Sequence, residues 1–433
     1  MLALSDFNTD PYAYQLRIIS ERWPQVAVFI DSINPPNRIA FSQNTPETTI
    51  VVDGIHMCSA YDAQKEACLQ ATQIPNDATT VWVYGVATDD LIVELLKRST
   101  LKVLNIVLIS PAVFRECLRY FDQRRWLNDP RVMMLLPHDR QNLNFPYTVM
   151  PACLRLIDDN AVKLRDLIVA DINAGYSSRR IIENEIKNRH IESNIKSVER
   201  DQNVTKLYNK YYGKTIYVAG AGPTLISQYE KLRESKSEVL ICVDAALKPL
   251  IEAGIEPNYV VSIDAHETII AEFLKCKLKH PDQVSLIYFP TLHPDALNVW
   301  KGPRYAAYSP SPLFSNISLC LPRGILFSSG SVIHPAIDLA VKMGAHDIKL
   351  CGVDLSYPRQ QSHVTGSRVH AKVDTTMKQF WVFNGYGDKV ASDPSFLAYL
   401  RDLELFIKSN STVKFTNLSR EGARIEGTCY ENE

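Results

Sequence analysis

Apolar positions along the chain fall into two alternating rhythms. One is the short, β-branched run bounded by polar or turn residues: TTIVVDGI, TTVWVYGVA, LKVLNIVLIS and RVMMLLP in the first third, then TIYVAG, EVLICVDA, YVVSID, VSLIYFP and IKLCGVDL beyond residue 213. Such runs read as strands buried in a sheet. The other is the 3.6-residue stripe. In TDDLIVELLKRS, Asp89 and Asp90 suit a helix start and Lys97 and Arg98 a helix end. PAVFRECLRYF opens on a proline, as first helical turns often do. LKPLIEAGIEP and SVIHPAIDLAVKMGAHDIKL each run to a glycine, Gly254 and Gly344, and the second leads straight into a strand. Strand, helix and strand in turn predict parallel sheets.

The rhythm divides the chain. Residues 1–153 read as an N-terminal α/β domain, and 154–212 as a helical connector with charges of both signs interleaved. Residues 213–366 read as a second α/β domain. Residues 367–433 read as a short, mostly helical tail built on SFLAYLRDLELFIKSN, closed by a short strand in VKFTNLS. The expected fold class is α/β, with two Rossmann-like parallel-sheet units joined by helices.

Composition narrows the function classes. The 433 residues are 46% hydrophobic and 22% charged with a formal net charge of −1, which gives no electrostatic reason to expect nucleic acid or an anionic membrane as partner. No apolar stretch approaches the roughly 18 residues of a spanning helix. MLALSDFNTDPYAYQ lacks the basic start and apolar core of a signal peptide. The nine cysteines are scattered without a C-x-x-C pair, so reduced thiols and a cytoplasmic location are expected.

Four places carry candidate chemistry. Gly220, Gly222, Pro223 and Thr224 form a strand-to-helix turn whose backbone N–H groups suit a phosphate. Leu225 stands where the Rossmann fingerprint needs a third glycine, and no lysine follows as in a P-loop. A plain turn would give the same pattern. VYGVATDD is the fainter case, with one glycine and two acids that would repel an anion, and reads as a structural turn. Asp244 and Asp264 end the second and third strands, where a doubly wound sheet faces its ligand; each would also serve as a helix cap. Ser328, Ser329, Gly330 and Ser331 precede a helix and offer more hydroxyls than a cap requires. Asp354 ends the last strand, and the loop after it carries His363, placed to act as a base. His334, inside a helix, reads as structural; His370 is a competitor near the tail.

Taken in order, GAGPTL, VDAAL, GIEPNYVVSIDAHE, SSGSVIHPAIDLAVKMGAHDIKLCGVDL and SHVTG resemble the motility-associated factor glycosyltransferases. The resemblance is close over 213–366 and extends to VYGVATDDLIVELLKR, VFRECLRYFD, DPRV and NLSREGARIEGT. It implies transfer of a nonulosonic acid, of pseudaminic or legionaminic type, from a CMP-activated donor to Ser or Thr of flagellin, in support of flagellum assembly and motility. It makes Gly220, Gly222, Pro223 and Thr224 the nucleotide-sugar turn and Asp244 and Asp264 contacts to ribose, cytosine or metal. Ser328, Ser329 and Gly330 would hold the donor's phosphate or carboxylate, His363 would be the base, and Asp354 would share the catalytic end of the last strand. Thr224 departs from the family's usual serine, and the segment after the catalytic unit is shorter than the family's helical domain. No metal is firmly expected, with magnesium kept open.

The same central pattern also resembles 6-hydroxymethylpterin diphosphokinases, which use ATP and a divalent metal; Asp244 and Asp264 would then be metal ligands. A non-catalytic flagellin-binding factor is a third reading, disfavoured because SSGS and SHVTG are both present.

Overall fold

The structure is a computed structural model. It describes residues 10–431 apart from 37, 43–44, 48, 138–141, 178–180, 236 and 379. The first nine residues, read above for a signal peptide, lie outside the described residues, as do residues 178–180 of the connector. The chain forms two compact units, Met1–Val169 and Ala170–Glu433. The break falls within the connector, inside the helix Val162–Ser177.

In the first unit, strands Thr80–Tyr84, Val103–Val107, Val132–Leu135 and Tyr147–Val149 form one parallel sheet. Helices Ala63–Ala71, Asp90–Leu96 and Pro111–Tyr120 alternate with them. TTIVVDGI is not part of that sheet. It folds into Ile50–Val52 and Ile55–His56, a hairpin within a separate antiparallel sheet. The turn is Asp53-Gly54, at φ +49° and +82°, the backbone that a two-residue hairpin needs. VYGVATDD is a packed turn: a Cβ on Gly85 would stand 2.5 Å from Cys153 Cβ.

The second unit is built on a nine-stranded sheet, parallel at every pairing. Strand Thr215–Ala219 lies near its centre. From there the chain works outward through Val239–Val243, Tyr259–Ser262, Ser285–Tyr288 and Arg304–Ala306. It then returns to lay Asp347–Cys351 against the other side of Thr215–Ala219. This reversal is a topological switch point, and ligands of such sheets bind beyond the carboxyl ends of the strands flanking it. Ile216, Val218, Ile241, Val260, Ile287, Ile348 and Leu350 are fully buried, as expected where both faces are covered. The helix Ile333–Lys342 supplies Ala336, Ile337, Leu339 and Ala340 to the same core.

Both glycine stops hold. Gly254 and Gly344 adopt φ +76° and +85°, and Ile255 N donates to Leu250 O at 2.8 Å, closing the first helix in a Schellman turn. The tail contains the helix Pro394–Ser409 and, beyond it, strands Lys414–Asn417 and Cys429–Tyr430, which extend the large sheet past Asp347–Cys351. Among the described residues, no helix is long and apolar enough to cross a membrane.

Candidate functional site

The glycine turn leaves Thr215–Ala219 beside the start of the loop after Asp347–Cys351, and the two connections lock together. Gly220 N donates to Cys351 O and Gly222 N to Gly352 O, both at 2.8 Å. A Cβ on Gly222 would lie 2.4 Å from Asp354 Oδ2. Pro223 opens a 3-10 turn, Pro223–Gln228, where an α-helix was expected. At its start, Thr224 N donates to Asp354 Oδ2 at 2.9 Å and Thr224 Oγ1 to Asp354 Oδ1 at 2.5 Å. Ser419 completes the knot, its Oγ donating to Thr224 Oγ1 at 2.8 Å and accepting from Gly352 N at 3.0 Å. The amides of Gly220, Gly222 and Thr224, expected to cradle a phosphate, are therefore spent inside the protein. Asp354, expected as a catalytic partner, has both oxygens engaged and is buried; it sits where an anion would sit on such a turn. Burial pushes its carboxyl up to about 6, against the pull of the Thr224 and Ser419 hydrogen bonds.

The serine loop is committed in a similar way. Ser329 Oγ donates to Asp402, and Ser329 N donates to His334 Nδ1 at 3.1 Å. His334 Nε2 meets Tyr399 O at 3.0 Å. That fixes the tautomer of a fully buried ring whose pKa burial lowers, the structural role expected of it. Gly330 has φ +88° and packs against Tyr399. Ser328 is half-buried, whereas Ser331 reaches a cavity of about 100 Å³ shared with Gly220, Gly222 and Phe396.

A wider cleft of about 640 Å³, in the size range of small-molecule sites, opens at the ends of the second and third strands. Asp244, Asp264, His266 and Arg368 line it, and His363 borders both it and the smaller cavity. Asp244 begins the helix Asp244–Glu252, where its Oδ1 accepts from Ala245 N at 2.7 Å. Its Oδ2 accepts from Ser262 Oγ at 2.6 Å. Asp264 Oδ1 accepts from His266 N at 2.9 Å. Arg368 lies between the two acids: Nη2 is 2.6 Å from Asp264 Oδ2 and Nη1 is 3.7 Å from Asp244 Oδ1. Burial works against the charge on Arg368, but Asp244 and Asp264 outweigh it and raise its pKa. Burial raises the pKa of Asp244 in turn, opposed by Arg368. A metal held by Asp244 and Asp264 would have to displace this guanidinium. Among the described residues, no group of three or more His, Cys, Asp or Glu side chains is arranged to hold a metal ion.

Burial lowers the pKa of His363, Arg368 and His370 lower it further, and a hydrogen bond to the Val369 carbonyl opposes them. Nδ1 is buried without a protein partner. A ring protonated on Nε2 would leave that Nδ1 lone pair free to accept a proton.

Residues 189–360, which include the turn, both acids and the serine loop, match a known family model. The family is described as 6-hydroxymethylpterin diphosphokinase MptE-like. Among solved structures, a MAf glycosyltransferase from Magnetospirillum magneticum AMB-1 aligns over 98% of this chain and 75% of its own, at 15% identity and a TM-score of 0.45. A spermidine synthase from Thermotoga maritima aligns over 28% of this chain and 49% of its own, at 16% identity and a TM-score of 0.23. A comparison with curated proteins finds no match. Outside the matched segment, the site takes His363 and Arg368 from the loop that follows it. Arg368 had no sequence signal: it is one arginine in a polar loop, and only folding sets it between two strand-end acids.

Proposed function

We propose that the chain is a glycosyltransferase that moves a nonulosonic acid from a CMP-activated donor to Ser or Thr hydroxyls of flagellin in the cytoplasm. In this reading residues 213–366 are the catalytic domain, joined through the connector to the N-terminal α/β domain, with 367–433 completing the sheet. The ordered motifs support it, and one observation carries it: His363 borders both the small cavity and the wide cleft, and its Nδ1 has no hydrogen-bond partner. That nitrogen takes the proton of the acceptor hydroxyl. The hydroxyl oxygen bonds to the donor's anomeric carbon, and the bond from that carbon to the phosphate oxygen breaks, CMP leaving with the electron pair. Gly220, Gly222 and Ser331 border the small cavity, and Asp244 and Asp264 face the sugar-nucleotide from the cleft. Thr224 and Asp354 position the turn.

The MptE-like match favours a second reading, an ATP- and magnesium-dependent diphosphokinase acting on a pterin alcohol. The salt-bridged Arg368 between Asp244 and Asp264 weighs against it, because a guanidinium stands where that chemistry needs the metal. Calorimetric titration with CMP, and separately with ATP plus magnesium, decides between them. Micromolar CMP binding and transfer that survives EDTA support the glycosyltransferase. Binding of ATP alone, and only with magnesium, overturns it.

A further inference from the structure

Within residues 363–370, five buried side-chain nitrogen and oxygen atoms lack a hydrogen-bond partner among the described residues. They are His363 Nδ1, Ser367 Oγ, Arg368 Nε and Nη1, and His370 Nε2. Buried polar groups are otherwise almost always bonded, so this loop is built to meet a ligand. Charge decides what kind. Arg368 is paired with Asp264, lies near Asp244, and acts electrostatically on Glu272, a buried carboxylate whose Oε1 is also unpartnered. One guanidinium thus already faces three carboxylates. A phosphate or carboxylate placed here would meet net repulsion. A hydroxyl meets neither problem, since it donates to a carboxylate while accepting from the guanidinium.

We propose that Arg368 reads a vicinal diol of the bound ligand, Nε and Nη1 donating to the two hydroxyl oxygens while Asp244 and Asp264 accept the hydroxyl protons. The inference rests on the proposed function for its ligand, and in that ligand the vicinal diol is the ribose 2′,3′ pair. Arg368 is then a specificity-determining residue, and the nucleotide phosphate is held elsewhere.

The test compares ligands that differ only in the diol, on the full chain and on Arg368→Lys and Arg368→Gln. Lysine keeps a cation among the carboxylates, so the fold is retained, and thermal melting checks it. If the ribose is read, the unaltered protein binds CMP about ten- to hundredfold more tightly than 2′-deoxy-CMP, the range for hydrogen bonds to a charged group. The preference then collapses in both variants. The proposal is overturned if the unaltered protein binds the two nucleotides alike, or if the variants preserve the preference. Should no cytidine nucleotide bind, the proposed function fails on its own account. ATP against 2′-deoxy-ATP with magnesium then tests the diol by the same criterion.

Discussion

Replacing Asp354 by asparagine tests whether the turn is held by a buried carboxylate. Asp354 is 2% exposed, and its oxygens accept from Thr224 N at 2.9 Å and Thr224 Oγ1 at 2.5 Å. Burial lifts its pKa to about 6, whereas an unfolded aspartate titrates near 3.9. The folded protein therefore binds this proton more tightly than the unfolded chain does. The stabilisation is fully present below about pH 4 and is lost as pH rises through about 6. A gap of about 2 pKa units corresponds to ~3 kcal/mol between those limits. Asparagine keeps the shape and one carbonyl for Thr224 N. Its amide donates to the Thr224 hydroxyl, which turns its own proton to Ser419 Oγ, 2.8 Å away. It has no proton to lose. Urea unfolding of both proteins from about pH 4 to about pH 7 should show Asp354→Asn gaining ~3 kcal/mol on the unaltered protein across the window. A difference that stays constant within ~0.5 kcal/mol would refute a buried, proton-binding carboxylate at this position.

His363→Ala should leave CMP binding intact and lower transfer about 10²- to 10⁴-fold, the usual contribution of a general base. In the unaltered protein the acid limb of kcat should lie below the ordinary histidine value, because the ring's pKa is lowered; a limb above it removes His363 from the base role. Gly222→Ala drives a methyl into Asp354 and the Gly352 carbonyl, and thermal unfolding should register a loss of ~1–3 kcal/mol. Ser329→Ala should lower stability, since its hydroxyl is bonded to Asp402. Its CMP affinity should stay within about twofold, and a larger loss in calorimetry would put Ser329 back among the ligand contacts.

Local composition made the sheet legible and left the side-chain partnerships hidden. Strands such as Val239–Val243 and Tyr259–Ser262 are buried along their whole length, so their apolar runs are continuous and hard to mistake. TTIVVDGI has the same composition, and the Asp53-Gly54 pair that folds it back on itself was the available hairpin signal. The strands of the tail are short, and only their neighbour, Asp347–Cys351, makes them part of the sheet. At the site, acids at strand ends were readable because topology alone puts them at the crevice. The commitments of Ser329, Thr224 and Arg368 were not, because Asp402, Asp354, Ser419 and Asp264 lie 73 to 195 residues away in the chain.

Those separations also order events during synthesis. Thr224 waits 130 residues for Asp354 and 195 for Ser419, and Gly352 N waits 67 for the same serine. A ribosome adding about 5–20 residues per second releases the glycine turn many seconds before the groups that close it. Until then the turn's donors face water, and the central strand lacks its neighbour Asp347–Cys351. Folding of the second unit is therefore completed late, from its last-made segment inward. A nascent chain stalled before Asp347 should carry an open turn, and proteases should cut it there.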